Sequence, residues 1–218
     1  MARRILLHFG APKAGSTFLQ RVMLKNRDRL RACGIAYPHP GHGHPGNAAR
    51  IADLDAGTFA ALFAEGADTV VLSHEGIFAT ELEARPLARL ARDAGVTVQR
   101  VVFLRPWSEF VFGDYSQHMK QHFDRYVATR TPYDGLRLEQ IALRRAVEVD
   151  PVAVLMRWSR VIPSPRLVLA SHRAIPATME RLLGAPGLDW TVPLAEANPS
   201  LRVCDCDALA RLIRRRSV

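Results

Sequence analysis

The strongest chemical signal in the chain is the run Gly10-Ala11-Pro12-Lys13-Ala14-Gly15-Ser16-Thr17. It follows an apolar stretch, Ile5-Leu6-Leu7-His8-Phe9, and it leads into a segment with helical periodicity. Glycines at both ends let the backbone curl so that successive N–H groups point inward, and the helix start adds partial positive charge. Together these make a concave anion site. Lys13 can set an ammonium on the anion, and Ser16 and Thr17 can donate hydroxyl hydrogen bonds. The spacing departs from the nucleoside-triphosphate loop GxxxxGK[ST], because Ser16 stands where that lysine belongs and the lysine lies earlier, at 13. A lysine inside the loop suits a donor with one phosphate and one terminal group. The plainer alternative is a tight strand-to-helix turn that holds no ligand.

Such a loop has to be carried by a strand and a helix, and the surrounding pattern supplies them. Short apolar runs at 5–9, 69–73, 98–104 and 167–170 predict buried strands. Between them the spacing predicts helices over 17–32, 51–64, 82–93, 107–126, 152–161 and 179–183, and a basic terminal helix over 207–216. Pro106 sits well at a first helical turn, and Gly34 is a plausible helix stop. Strands alternating with helices imply an α/β chain, a three-layer sandwich around a mostly parallel sheet. The 218 residues are read as a single domain. The segment Tyr-Pro-His-Pro-Gly-His-Gly-His-Pro-Gly over 37–46 cannot be regular structure and is long enough to be functional.

Composition bounds the partners. The formal charge is +9 at pH 7, and lysine occurs only at 13, 25 and 120, so arginine supplies the rest of the 30 basic residues. Arginine forks recognise phosphate, sulfate and carboxylate, although a compositional habit of the source would give the same count. The sequence shows no helix-turn-helix, zinc finger or RNA-binding signature, so nucleic acid is not the expected partner. No apolar run approaches the ~18 residues that span a bilayer. The start, Met1-Ala2-Arg3-Arg4 before a short apolar stretch, is too brief for a secretory leader, and a cytoplasmic location is expected. Cys33, Cys204 and Cys206 form neither a disulfide framework nor a convincing zinc site. Oligomeric state is not legible.

Pro12-Lys13-Ala14-Gly15-Ser16-Thr17 resembles the PKxG[ST]T loop of the sulfotransferase family, and residues 8–20 are similar to its prokaryotic branch. The resemblance implies a P-loop-like sulfotransferase fold and, as donor, 3′-phosphoadenylyl sulfate, with 3′,5′-adenosine bisphosphate as product. It implies that Lys13, with Pro12, Ala14, Gly15, Ser16 and Thr17, holds the phosphosulfate, and that Lys13 stabilises charge on the bridging oxygen. The family's second signature is a strand ending in arginine with a serine eight residues later, together holding the 3′-phosphate. Arg105 supplies the arginine, but Gly113 stands in the serine's place. Losing one neutral hydroxyl contact costs about 0.5–1.5 kcal/mol, up to roughly tenfold in affinity.

Sulfuryl transfer also needs a base for the acceptor hydroxyl. Ser73-His74-Glu75-Gly76 resembles the family's Ser-x-Glu at the end of the second strand, which makes Glu75 the first choice and His74 the second. A helix-capping or ion-paired carboxylate is the alternative for Glu75. His8 reads as a core histidine. His39, His42 and His44 read as part of a solvated acceptor-binding lid, with metal binding as an alternative. Asn198-Pro199-Ser200 resembles the family's closing segment. The expected acceptor is a small molecule or carbohydrate, and the scheme requires no metal. Three rivals stay open: an atypical P-loop kinase, in which Glu75 would hold Mg²⁺; a non-catalytic binder of nucleotides or anions; and, behind these, a basic nucleic-acid-binding protein.

Overall fold

The computed structural model describes residues 2–163, 166–193 and 200–215. The expected Asn198-Pro199 segment and Arg216 lie outside them. The chain divides into two compact units, one of residues 1–104 and 151–197, the other of residues 105–150 and 198–218.

The first unit holds a five-stranded sheet: β1 (Arg4–His8), β2 (Ile35–Ala36), β3 (Thr69–Ser73), β4 (Thr97–Leu104) and β5 (Leu167–Ser171). Its order is β2-β3-β1-β4-β5, and every pairing is parallel. Parallel strands need crossovers, and these are helical: α1 (Ser16–Lys25), α2 (Arg27–Ala32), α3 (Ala56–Ala61), α4 (Arg85–Asp93), and, beyond the second unit's insertion, α8 (Pro151–Val161) and α9 (Ile175–Leu183). Ile5, Leu6 and Leu7 on β1, like Val101, Val102 and Phe103 on β4, are fully buried, so helices cover both faces of the central strands. Each such side chain contributes about 1.5–3 kcal/mol by leaving water. Phe9 stacks on Trp158 of α8 at 4.0 Å between ring centroids, and the Trp158 indole donates to Phe78 O at 2.9 Å.

Connections after β1 lead toward β2, whereas those after β3 and β4 lead the other way. The reversal lies between β1 and β4, and ligands of open α/β sheets bind outside the strand ends at such a reversal. The loop at 10–17 leaves β1 there.

Several expected elements are broken or shortened for local reasons. The helix expected over 17–32 splits at Asn26, whose carboxamide donates to Val22 O and Asp189 O and accepts from Asp189 N. Residues 51–64 form only a 3-10 turn (Ile51–Asp53) and α3, which an Asp55–Thr58 capping box starts. In the second unit, the helix expected over 107–126 ends at Gln121 as α5 (Trp107–Gln121), and α6 (Phe123–Thr129) follows. These two, with α7 (Leu138–Glu148) and α10 (Val203–Arg215), surround a cluster of Tyr115, Met119, Tyr126, Tyr133, Ile141, Cys206 and Ala210. Tyr115 stacks on Tyr133 at 3.9 Å, and buried Asp114 pairs with Arg145 Nε at 2.9 Å. Among the described residues no helix is long and apolar enough to cross a membrane.

Candidate functional site

The turn at 10–17 is built by left-handed backbone at two places. Lys13 has φ 61° and Gly15, which caps α1, has φ 88°. Gly15 tolerates this conformation, but a side-chain-bearing residue such as Lys13 adopts it at a cost of roughly 1–2 kcal/mol. Strain of this kind concentrates at functional sites. A bond from Ala14 N to Ala11 O at 3.2 Å closes the turn. Gly10 leaves room for a different reason: a Cβ there would lie 1.9 Å from the Ser16 hydroxyl, which would have to move. Ser16 is buried and its Oγ has no hydrogen-bond partner among the described residues. A buried hydroxyl in that condition costs free energy unless something else satisfies it. Pro12, Lys13 and Thr17 are half-buried, and Ala14 is buried.

The neighbouring strand end supplies the second group. β1 and β3 run side by side with His8 opposite Ser73, so the residues after Ser73 emerge beside the loop after His8. Glu75 opens a 3-10 turn there (Glu75–Ile77), and His74 caps it by accepting from Gly76 N at 2.9 Å. Glu75 is held at both oxygens. Gln20 of α1 donates to Oε2 at 2.8 Å, and His44 Nε2 meets Oε1 at 3.1 Å. The His44 tautomer follows from its other nitrogen: Nδ1 accepts from Gly46 N at 3.0 Å, so the neutral ring carries its proton on Nε2 and donates to Glu75. Burial pushes the Glu75 pKa up, but the Gln20 amide, the backbone and the two histidines outweigh it and leave the group below its ordinary value. Its side chain is still 33% exposed, within reach of a substrate. Burial holds His74 below the ordinary imidazole value despite the pull of Glu75, and His44 adds to that lowering.

Behind these lies a buried polar chain. Gln20 Nε2 also donates to Ser73 Oγ at 3.2 Å, and Ser73 Oγ lies 2.8 Å from His8 Nδ1. Ser73 Oγ accepts from Gln20 and is hydrogen-bonded to His8 Nδ1, while His8 Nε2 lacks a partner among the described residues. Burial drives the His8 pKa down to about 4 against the pull of Glu75. His8 is thus a neutral core histidine, as its position in an apolar strand suggested.

The loop at 37–46 has no regular structure, but it is fastened and not loose. Tyr37 donates to Pro45 O at 2.6 Å, and Arg27 donates to His39 O at 2.9 Å. His39 accepts from Gly41 N through Nδ1 and donates to His44 O through Nε2. Asn47 then clamps the end of β3, its side chain donating to Val71 O and accepting from Ser73 N.

In the second unit Arg105 is the first residue after β4, and its Nε pairs with Glu109 Oε2 at 3.2 Å. That carboxylate competes with any phosphate for the guanidinium. Gly113 is buried on α5. The first unit therefore brings together the loop at 10–17, His74 and Glu75, while Arg105 and Gly113 belong to the other.

Gln20, Ser73 and Asn47 had no assigned role in the sequence reading, and His44 was placed in a lid. Gln20 did carry a signal: it is a polar residue among the buried positions of α1, beside Leu19 and Met23.

No family model matches the chain, and no curated protein sequence matches it. Among solved structures, a sulfotransferase from Alicyclobacillus acidocaldarius is similar with a TM-score of 0.48 and 14% identity, over 100% of this chain and 98% of that one.

Proposed function

We propose that this chain moves a sulfuryl group from 3′-phosphoadenylyl sulfate to a hydroxyl of a carbohydrate or secondary-metabolite acceptor. The observation that carries the reading is the turn at 10–17, where left-handed Lys13 and Gly15 frame a buried Ser16 hydroxyl with no described partner. Such a hydroxyl fits an anion oxygen, and a lysine in strained backbone fits a group held for one purpose. Backbone N–H groups of the turn, Ser16 and Thr17 hold the phosphosulfate. Lys13 neutralises charge on the bridging oxygen as the S–O bond breaks. Glu75 takes the proton of the acceptor hydroxyl as its oxygen bonds to sulfur, and His74 is the second candidate for that role. The products are a sulfate ester, 3′,5′-adenosine bisphosphate and a proton.

Arg105 is the residue for the 3′-phosphate, and it must exchange Glu109 for that ligand. Its ion pair, together with Gly113, favours one rival reading, a non-catalytic binder of nucleotides or anions. Calorimetric titration with 3′,5′-adenosine bisphosphate, beside ADP and ATP each with and without Mg²⁺, separates the readings. Selective binding of the bisphosphate that Lys13→Ala abolishes supports the donor site, and turnover on an acceptor panel then supports the enzyme. Absence of binding, or preference for ATP with Mg²⁺, overturns the assignment.

A further inference from the structure

Helices α4 and α8 both line a groove of about 480 Å³ in the first unit, and no residue of the 10–17 loop lines it. Its walls are arginine. Arg85, Arg89 and Arg92 occupy positions i, i+4 and i+7 of α4 and so share one face, over a length of about 10 Å. Arg157 and Arg160, at i and i+3 of α8, face them across the groove. Glu81 is the lone carboxylate in the lining, and it is taken by Arg157 Nε at 3.0 Å. Arg85, Arg89 and Arg160 are exposed and form no ion pair with any described residue, and Arg92 has only Asp93 at 3.8 Å. Like charges at i, i+4 destabilise a helix, and a second helix of the same sign beside it adds to the repulsion. A solvated helix face would normally mix signs along its length; this one concentrates positive charge in a concave cleft.

We propose that this groove binds an acidic oligosaccharide, a single chain bearing carboxylate or sulfate groups, between its two arginine rows. Guanidinium forks match such two- and three-oxygen anions in pairs. No aromatic side chain lines the groove, so nucleic-acid bases find nothing on which to stack. A planar membrane cannot press into a concave cleft. Exposed Leu82 at the rim offers an apolar surface to the carbon face of a sugar ring. The proposal is independent of the donor-site reading and stands or falls without it.

The test titrates the full chain, without donor, with a heparin-derived hexasaccharide, uncharged chitohexaose and an oligothymidylate of matched charge. The hexasaccharide binds with salt-sensitive affinity, and Arg89→Gln/Arg160→Gln weakens it at least about tenfold. Arg211→Gln/Arg214→Gln, which removes the same charge from α10, leaves it unchanged. The hexasaccharide also raises the thermal midpoint of the wild-type chain but not of the groove variant. Equal losses in both double variants, equal binding of chitohexaose, tighter binding of oligothymidylate, or no hexasaccharide binding overturns the proposal. Should the groove variant melt early, Arg89→Lys/Arg160→Lys replaces it, keeping the charge and losing the fork; undiminished affinity there overturns forked recognition.

Discussion

Glu75 is held by two donors that differ in kind, a buried amide from the helix and an imidazole from the loop. Because the Gln20 bond helps to hold the carboxyl below its ordinary value, Gln20→Leu should raise that pKa. The acid limb of the kcat/KM profile for sulfuryl transfer then moves to higher pH, while donor affinity stays near normal; an unmoved limb would mean that Gln20 only packs. Glu75→Gln should lower the chemical step by about 10²-fold or more with little effect on donor binding, and equal losses in both would argue against a base. His8 gives a prediction for stability. The unfolded chain protonates near the ordinary value of 6.5, the native chain only near 4, so in that window the unfolded state binds more protons. Stability is therefore fully present above 6.5 and falls as pH drops toward 4, by about 3 kcal/mol in all. Urea midpoints measured across that window should flatten in His8→Asn, whose amide can still reach Ser73. Lys13, Ser16 and Glu75 stand out as candidates because their sequence signals are local. The bonds that Gln20 and His44 make to Glu75 do not, because that partner lies 55 and 31 residues away in sequence.

At the scale of the element, the turn between β1 and α1 depends on how closely Gly10 passes Ser16. Gly10→Ala places a methyl where the hydroxyl stands, so Ser16 must turn away. Binding of 3′,5′-adenosine bisphosphate should fall sharply, with a stability loss of about 1–3 kcal/mol from the added volume. Unchanged binding in that variant would detach Ser16 from the anion site. The four main strands were readable from the sequence because burial on both faces leaves continuous apolar runs. β2 was not, since two residues carry no period. α7 was missed as well: only Ile141 of it is buried, and Leu143 and Val147 face solvent, so no apolar stripe marks the helix. The break at Asn26 was invisible for another reason, because its cause, the backbone at Asp189, is 163 residues distant.

For the whole molecule, a net charge of +9 drawn mostly from arginine sets the response to salt. Raising sodium chloride from about 0.05 M to about 0.3 M shortens the screening length and relieves self-repulsion, so the thermal midpoint should rise. Sulfate at equal ionic strength should raise it further, since guanidinium forks hold that anion. A falling midpoint would mean that attractive ion pairs dominate instead. The clamp at Asn47 bears on a different property, the behaviour of the chain in company. β2 pairs only with Thr69 and Val70, and beyond them the rim of the sheet at Val71 to Ser73 is closed by a single carboxamide and the backbone N–H groups of Asn47 and Ala48. An open rim is a template on which a strand of another molecule can grow. Asn47→Ala should therefore show itself as concentration-dependent light scattering, and a protein that stays clear and monodisperse at high concentration owes part of that solubility to one side chain.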